Sequence, residues 1–383
     1  MTNPARRLLS TFDDRHAADV MREILAKAGI TVGGDAPWDV QVHDSRVYAR
    51  VLRDGTLGVG ESYVEGWWDC DALDEMVTRL ARSRAGLVVD ESWVLLAHAV
   101  KARVFNLQVA RAFEVGKRHY NVGNDLYEAM LGRRMAYTCA YWKDVDDLDA
   151  AQEAKLDLVS RKIGLRPGMR ILDLGCGWGG FAAFAAERGA RVVGYTVSSE
   201  QLAWAKAQHA SLPVEIRLDD YRNATGTYDA VVSIGLMEHV GPKNHRAYME
   251  LAARRLAPGG VVFIHTIGGH RPRATIDPWF EKYIFPNAAI PTIGQLVTAM
   301  EDVLVAEDIQ NLGEHYDLTL MAWWTNFDAA WPKLRARYGD AFYRSWRYYL
   351  LTSAAYFRAR QHNLFQIVAT PVGSAHPPTA RAI

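Results

Sequence analysis

Arg170-Ile171-Leu172-Asp173-Leu174-Gly175-Cys176-Gly177-Trp178-Gly179-Gly180 decides the fold. A short apolar run ends in an acid and then in a glycine-lined turn, so it reads as a buried strand passing into a turn that opens a helix. Only glycine lets the backbone turn this tightly and approach a ligand at van der Waals distance. The helix from Gly180 aims its unpaired N–H groups at whatever sits there. Such a turn holds a nucleotide. Its spacing, Gly175, Gly177 and Gly180, also fits the dinucleotide fingerprint G-x-G-x-x-G, so the kind of nucleotide has to be decided elsewhere.

Outward from that turn, strand-like and helix-like stretches alternate: Arg170–Leu174, 180–188, Arg191–Thr196, 199–210, Val214–Leu218, 228–233, 243–256 and 260–266. The alternation predicts an α/β fold, a Rossmann-like parallel sheet with helices on both faces. A helix at 292–302, an apolar stretch at 303–309, two long aromatic-rich helices at 318–337 and 341–360 and a strand at 363–369 follow. The last two strands are expected as an antiparallel pair at the sheet edge, and the tail from Pro371 is expected to fray. Before the sheet, helical patterns at Asp14–Lys27 and 73–81 flank the glycine-rich 55–60 and the aromatic 63–68. They predict a small helical N-terminal domain with its linker over 1–115 and a catalytic domain over 116–383.

A chain of 383 residues is long enough for two domains. Its 44 Lys and Arg balance 44 Asp and Glu, so no global field steers it toward nucleic acid. Cys70, Cys139 and Cys176 lie far apart without C-x-x-C spacing, which offers neither a disulfide framework nor a zinc site and fits the cytoplasm. Residues 1–10 lack the apolar core of a secretory signal, and no apolar run approaches membrane-spanning length. The chain is expected to be soluble or peripheral. Trp93, Leu96, Val100, Val104 and Leu107 recur at helical spacing beside Lys101, Arg103 and Arg111. They read as a packed inter-domain helix or, more sharply, as a basic amphipathic surface that touches anionic lipid.

In a dinucleotide site, an acid about 20 residues past the glycines would bond the ribose. Here the second strand ends in Gly194-Tyr195-Thr196-Val197-Ser198, and Glu200 falls inside the next helix, leaving Thr196 and Gln201 as neutral ribose partners. The third strand ends in Leu218-Asp219-Asp220-Tyr221-Arg222. There Asp220 can accept from an adenine amino group and Tyr221 can cover the ring. With Asp173, Gly175, Cys176, Gly177 and Gly179, and with Arg222 beside the pair, this pattern suits S-adenosylmethionine.

Tyr137-Thr138-Cys139-Ala140-Tyr141-Trp142, the glycine turn, Met237-Glu238-His239-Val240-Gly241, His265-Thr266-Ile267-Gly268 and Tyr316-Asp317 occur in the order and spacing of one family. The chain resembles the cyclopropane-fatty-acid-phospholipid synthases. Gly58-Val59-Gly60-Glu61-Ser62-Tyr63-Val64-Glu65-Gly66-Trp67-Trp68, Asp277-Pro278-Trp279 and Lys282-Tyr283-Ile284-Phe285-Pro286-Asn287 resemble its bacterial phospholipid-modifying members, whereas the mycolic-acid-modifying relatives are shorter at the N-terminus.

The resemblance implies methyl transfer from S-adenosylmethionine to a cis double bond in an acyl chain of a membrane phospholipid, followed by proton loss and ring closure. It implies that Tyr137 and Thr138 touch the cofactor. It also implies a bound bicarbonate that takes the proton, held by Cys139, Glu238, His265, Ile267 through its backbone N–H, and Tyr316. The residue types suit such an anion, since Tyr and His donate to its oxygens, and Glu238 accepts from its hydroxyl or fixes the tautomer of His265. The cation must be kept dry, and Trp279, Phe280, Tyr283, Phe285, Trp323, Trp324 and Phe327 are candidates for an acyl tunnel. Residues 115–127 resemble the family's cover over the cofactor. Many relatives carry a cysteine where this chain has Ser353, so no thiol acts there. A nucleophilic Cys139 lacks a cationic activator among its sequence neighbours. Homodimerisation and transient contact with the inner face of the membrane follow from the resemblance alone. Methyl-branching of fatty acids, or methylation of a small amine, keeps the same cofactor and is the alternative.

Overall fold

A computed structural model describes residues 14–83, 123–273 and 275–376. The 93–111 patch, residues 115–122 of the expected cover and residues 377–383 of the tail lie outside them. The described residues form two compact units: one takes in 14–83, Thr275–Pro286 and Asp328–Gln361, the other 123–273, Asn287–Phe327 and 362–376. The first therefore gathers two segments that the sequence reading places in the catalytic domain.

In chain order the first unit begins with α1 (Asp14–Lys27), β1 (Gln41–Val42), α2 (Arg46–Asp54), α3 (Thr56–Val64), β2 (Trp68–Asp69) and α4 (Leu73–Ser83). α3 is helical despite its glycines because the packing demands them. A Cβ at Gly58 would lie 2.7 Å from the Arg50 carbonyl, and one at Gly60 2.3 Å from the Trp279 indole. The aromatic 63–68 stretch is held by guanidinium groups: Arg344 donates to the Tyr63 and Trp68 carbonyls at 2.7 and 3.0 Å, and Arg347 to those of Cys70 and Asp71 at 3.1 and 2.8 Å. Trp279 is buried in this unit's core, its ring 4.6 Å from that of Tyr348.

The second unit begins with α5 (Asn124–Leu131) and α6 (Leu148–Ile163). Asp147 caps α6 by accepting from the Ala150 N–H, and Gly164, left-handed at φ 64°, ends it. Then come β3 (Arg170–Leu174), α7 (Gly180–Glu187), β4 (Arg191–Thr196), α8 (Ser199–Gln208), β5 (Val214–Leu218), β6 (Tyr228–Ile234), α9 (Met237–Val240), α10 (His245–Arg254) and β7 (Leu256–Gly269). α11 (Pro278–Tyr283) belongs to the first unit; α12 (Ile293–Met300), β8 (Leu304–Asn311), α13 (Gly313–Tyr338), α14 (Asp340–Arg358) and β9 (His362–Pro371) complete the described chain.

Seven strands run in the order β5-β4-β3-β6-β7-β9-β8, parallel except for β9, which is antiparallel to β7 and β8. The expected antiparallel pair closes the sheet. Alternate residues feed two cores: Leu172, Val231, Val262 and Ile367 on one face, Ile171, Val232, Phe263 and Val368 with α6 and α7 on the other. Fully buried Lys162 of α6 pairs with Asp308 of β8 at 2.8 Å. Strand order reverses between β3 and β6, and the carboxyl ends of strands flanking such a reversal open a crevice for a ligand.

Candidate active site

Gly175, Gly177 and Gly179 leave β3 with φ of 77°, 56° and 81°, values that L side chains avoid. At Gly177 the nearest atom to an added Cβ is Gln201 Nε2 at 4.0 Å, so this position faces open space, not packed protein. Gly177→Ala is therefore expected to fold, at a strain of roughly 1 kcal/mol, while its methyl intrudes on the cofactor's approach. Calorimetry should show binding of S-adenosylhomocysteine about tenfold weaker, the equivalent of ~1.4 kcal/mol; unchanged affinity would contradict the turn's assignment.

Asp173, ahead of the turn, is buried, and its Oδ2 has no hydrogen-bond partner. Burial pushes its carboxyl up to about 7, opposed by the charge of Lys155. At the end of β4, the Thr196 hydroxyl donates to Gln201 Oε1 at 2.8 Å, and Ser198 caps α8, so the two expected ribose partners do meet. Asp220 is differently engaged. Its carboxylate accepts from the backbone N–H, Nε and Nη2 of Arg222 at 2.9, 2.7 and 2.6 Å. Burial raises the Asp220 pKa and Arg222 more than offsets it, leaving a net lowering. Arg222 thus acts on Asp220, and Tyr221 stands edge-on to Tyr248 with centroids 5.8 Å apart.

The 136–142 segment is clamped from two sides. From α6, Gln152 Nε2 donates to the Thr138 carbonyl at 3.0 Å, and Lys155 Nζ donates to the Thr138 hydroxyl at 3.1 Å. From α13, the Thr319 hydroxyl accepts from the Ala140 N–H at 3.0 Å and the Trp142 indole N–H at 2.9 Å, and donates to the His315 carbonyl at 2.7 Å. Cys139 is fully buried, its Sγ 4.0 Å from that hydroxyl. Burial pushes its thiol far above the ordinary range, which leaves no thiolate to act as a nucleophile. Rings then run in series: Trp178 to Tyr127 at 4.8 Å, Tyr127 to Tyr137 at 5.3 Å, Tyr137 to Trp323 at 5.2 Å and Trp323 to Tyr316 at 6.0 Å. This aromatic chain joins the glycine turn to α13.

Glu238, buried on α9, accepts the Ile267 N–H at 2.7 Å through Oε1, while Oε2 has no hydrogen-bond partner. The N–H assigned to an anion is thus held by Glu238. Burial pushes the Glu238 carboxyl up to about 7. His265 and Gln366 are register partners on β7 and β9, with Nδ1 and the amide Nε2 3.3 Å apart. With the amide donating to Nδ1, the ring proton falls on Nε2, a buried atom without a partner. Gln366, not Glu238, fixes this tautomer. Burial, reinforced by Lys155 and Lys162, holds His265 well below its usual range and keeps the ring neutral.

Gln152 Oε1, Asp173 Oδ2, Glu238 Oε2, His265 Nε2 and Gln366 Oε1 are all buried and unpartnered, and such atoms mark where a polar ligand completes the structure. The donor set fits a cofactor with polar ribose and amino-acid ends beside Asp173, Gly177, Thr196 and Gln201. Gln152, Lys155, Thr319 and Gln366 were not legible as site residues in the sequence.

Residues 107–367 match the family described as mycolic acid cyclopropane synthetase. The cyclopropane-fatty-acyl-phospholipid synthase of Escherichia coli strain K12 is 44% identical over 351 residues, 91% of this chain and 92% of that one. A solved mycolic acid cyclopropane synthase, in complex with SAH and CTAB, aligns with TM-score 0.63 and 30% identity over 67% of this chain and 97% of its own. A coclaurine N-methyltransferase bound to N-methylheliamine and SAH aligns with TM-score 0.66 over 82% of this chain and 99% of its own, at 19% identity, and shares the fold. On a methyltransferase sheet, with these motifs at the carboxyl ends of its strands, the chain belongs to the cyclopropane synthase family of S-adenosylmethionine-dependent enzymes.

Proposed function

We propose that this enzyme transfers a methylene carbon from S-adenosylmethionine to the cis double bond of unsaturated acyl chains in membrane phospholipids, giving cyclopropane chains. When bound, the cofactor supplies an electrophilic methyl group and bicarbonate a small base for the proton lost on ring closure. The observation that carries this reading is that Glu238 Oε2 and His265 Nε2 are each buried without a hydrogen-bond partner, on two residues that the family resemblance assigns to the anion. His265 Nε2–H would donate to the anion, Glu238 would accept from its hydroxyl, and Tyr316 with Cys139 would complete the pocket. The Tyr137, Trp323 and Tyr316 rings keep water from the cation and face it with π surface. No helix among the described residues is long and apolar enough to cross a membrane, so the substrate is reached by peripheral contact at the inner face. In this reading the N-terminal helical unit presents the lipid, and the family resemblance implies a homodimer.

Unsaturated phospholipid vesicles incubated with enzyme and cofactor should yield acyl chains heavier by one CH2 that resist catalytic hydrogenation. A product that takes up hydrogen would mean methyl-branching without ring closure, and no acyl product would remove the lipid assignment.

A further inference from the structure

Among the described residues, the largest fully buried side chains include two lysines, Lys155 and Lys162. An ammonium is rarely buried without a carboxylate. Lys162 has one, Asp308, at 2.8 Å. Lys155 is 1% exposed. Its hydrogen bond to the Thr138 hydroxyl, at 3.1 Å, uses one of its three donors. Its charge acts on Cys139, Asp173 and His265, the acid ahead of the glycine turn and two residues assigned to the bicarbonate, and burial lowers its own pKa to about 8, so an anion beside it would favour its charged form.

The charge balance at that spot is lopsided. Burial keeps the Cys139 thiol protonated and the His265 ring neutral, while Glu238 and Asp173 are acids whose carboxyls burial raises to about 7. An anion brought into such a pocket by neutral donors alone would face carboxylates with no countercharge, in a medium where each charge is poorly screened. Gln152, one turn back on α6, clamps the same segment through the Thr138 carbonyl and has no bearing on charge.

We propose that Lys155 is the positioning cation of the anion site: it holds Thr138, and so Cys139, in place and supplies the positive charge that lets the pocket take bicarbonate. The assignment rests on the bicarbonate reading above. No bond is made or broken, and the two remaining N–H donors of Lys155 supply field and hydrogen bonds where a buried anion needs both.

The test uses Lys155→Met, which keeps length and removes the charge, with Lys155→Gln as the second variant should methionine not be accommodated. Binding of 13C-bicarbonate to the full-length protein saturated with S-adenosylhomocysteine is read by NMR line broadening, alongside calorimetry of S-adenosylhomocysteine itself. Loss of one charge-assisted hydrogen bond predicts bicarbonate binding roughly 10–100-fold weaker, with S-adenosylhomocysteine affinity within about threefold. The Michaelis constant for bicarbonate should rise by the same factor while kcat at saturating bicarbonate recovers. Parental bicarbonate affinity in both variants would overturn the role of Lys155 alone. Lost S-adenosylhomocysteine affinity with intact bicarbonate binding would also overturn it, making Lys155 the counterion of Asp173. A parent protein that binds no bicarbonate would remove the underlying reading itself.

Discussion

Glu238→Gln is expected to lower turnover by roughly 10²–10⁴-fold, the span for loss of a proton-handling group, while making the ligand-free protein more stable at pH 8. Glutamine keeps the oxygen that accepts the Ile267 N–H, so the local fold has no reason to move. What disappears is a carboxylate whose folded pKa, raised by burial from 4.5 to about 7, lies above its unfolded value. The folded state therefore binds more protons than the unfolded one between those values, and stability falls as pH rises through them. Below pH 4.5 both states are protonated and the substitution is neutral; above pH 7 the full penalty, on the order of 3 kcal/mol, is relieved. A melting temperature several degrees above the parent's at pH 8, equal to it near pH 4, with activity lost throughout, is the expected result. A variant as active as the parent removes Glu238 from the mechanism, and equal melting curves at pH 8 contradict its buried ionisation.

The sheet was legible because its signals are local. β3, β4 and β5 begin and end where alternation and turn residues say they should, and the terminal antiparallel pair follows from two β-rich runs around two long helices. α6 was not. Residues 148–163 carry Leu148, Ala151, Leu156, Val159 and Ile163 toward the core among Asp149, Glu153 and Lys155, and the helix also buries Gln152, Lys155 and Lys162, residue types that a sequence reading assigns to solvent. A buried lysine looks like a surface lysine until its neighbours are known. The glycine-rich 55–60 suggested no helix for the complementary reason: Gly58 and Gly60 serve close packing against Arg50 and Trp279, of which Trp279 is distant in sequence.

Site identity and site wiring separate in the same way. The family resemblance names Cys139, Glu238, His265, Ile267 and Tyr316 as a set, but not who bonds whom. The Ile267 N–H goes to Glu238 and the imidazole to Gln366, because strand register places position 366 opposite 265. Asp220 is bound to Arg222, two residues on, through an Asx turn that its spacing permits but does not by itself choose over a bond to a ligand. Pairings set by tertiary register leave no trace in a linear pattern.

Thr319 is the sharpest instance, and Thr319→Val follows from it. Valine matches the shape of threonine but cannot accept a hydrogen bond, so the Ala140 N–H, which bonds the hydroxyl at 3.0 Å, and the Trp142 indole N–H, at 2.9 Å, lose their acceptor. Ala140 is 1% exposed, so water cannot substitute there. At about 1–3 kcal/mol for the orphaned Ala140 donor, with water free to replace the acceptor of the part-exposed Trp142 indole, the variant should lose roughly 1–3 kcal/mol of stability, read from denaturant midpoints at unchanged slope. The segment that carries Tyr137, Thr138 and Cys139 then keeps its bonds to α6 and, on α13, the Trp142 N–H bond to His315, but loses its anchor at Ala140, and a displacement near 1 Å is enough to cost on the order of 10²-fold in rate. Turnover measured well below the variant's midpoint should fall accordingly, while S-adenosylhomocysteine binding at Gly177, Thr196 and Gln201 weakens far less. Thr319→Ser restores the acceptor and should recover most of the rate even though it opens a methyl-sized gap. If serine fails where valine succeeds, the residue acts through packing and the hydroxyl is incidental.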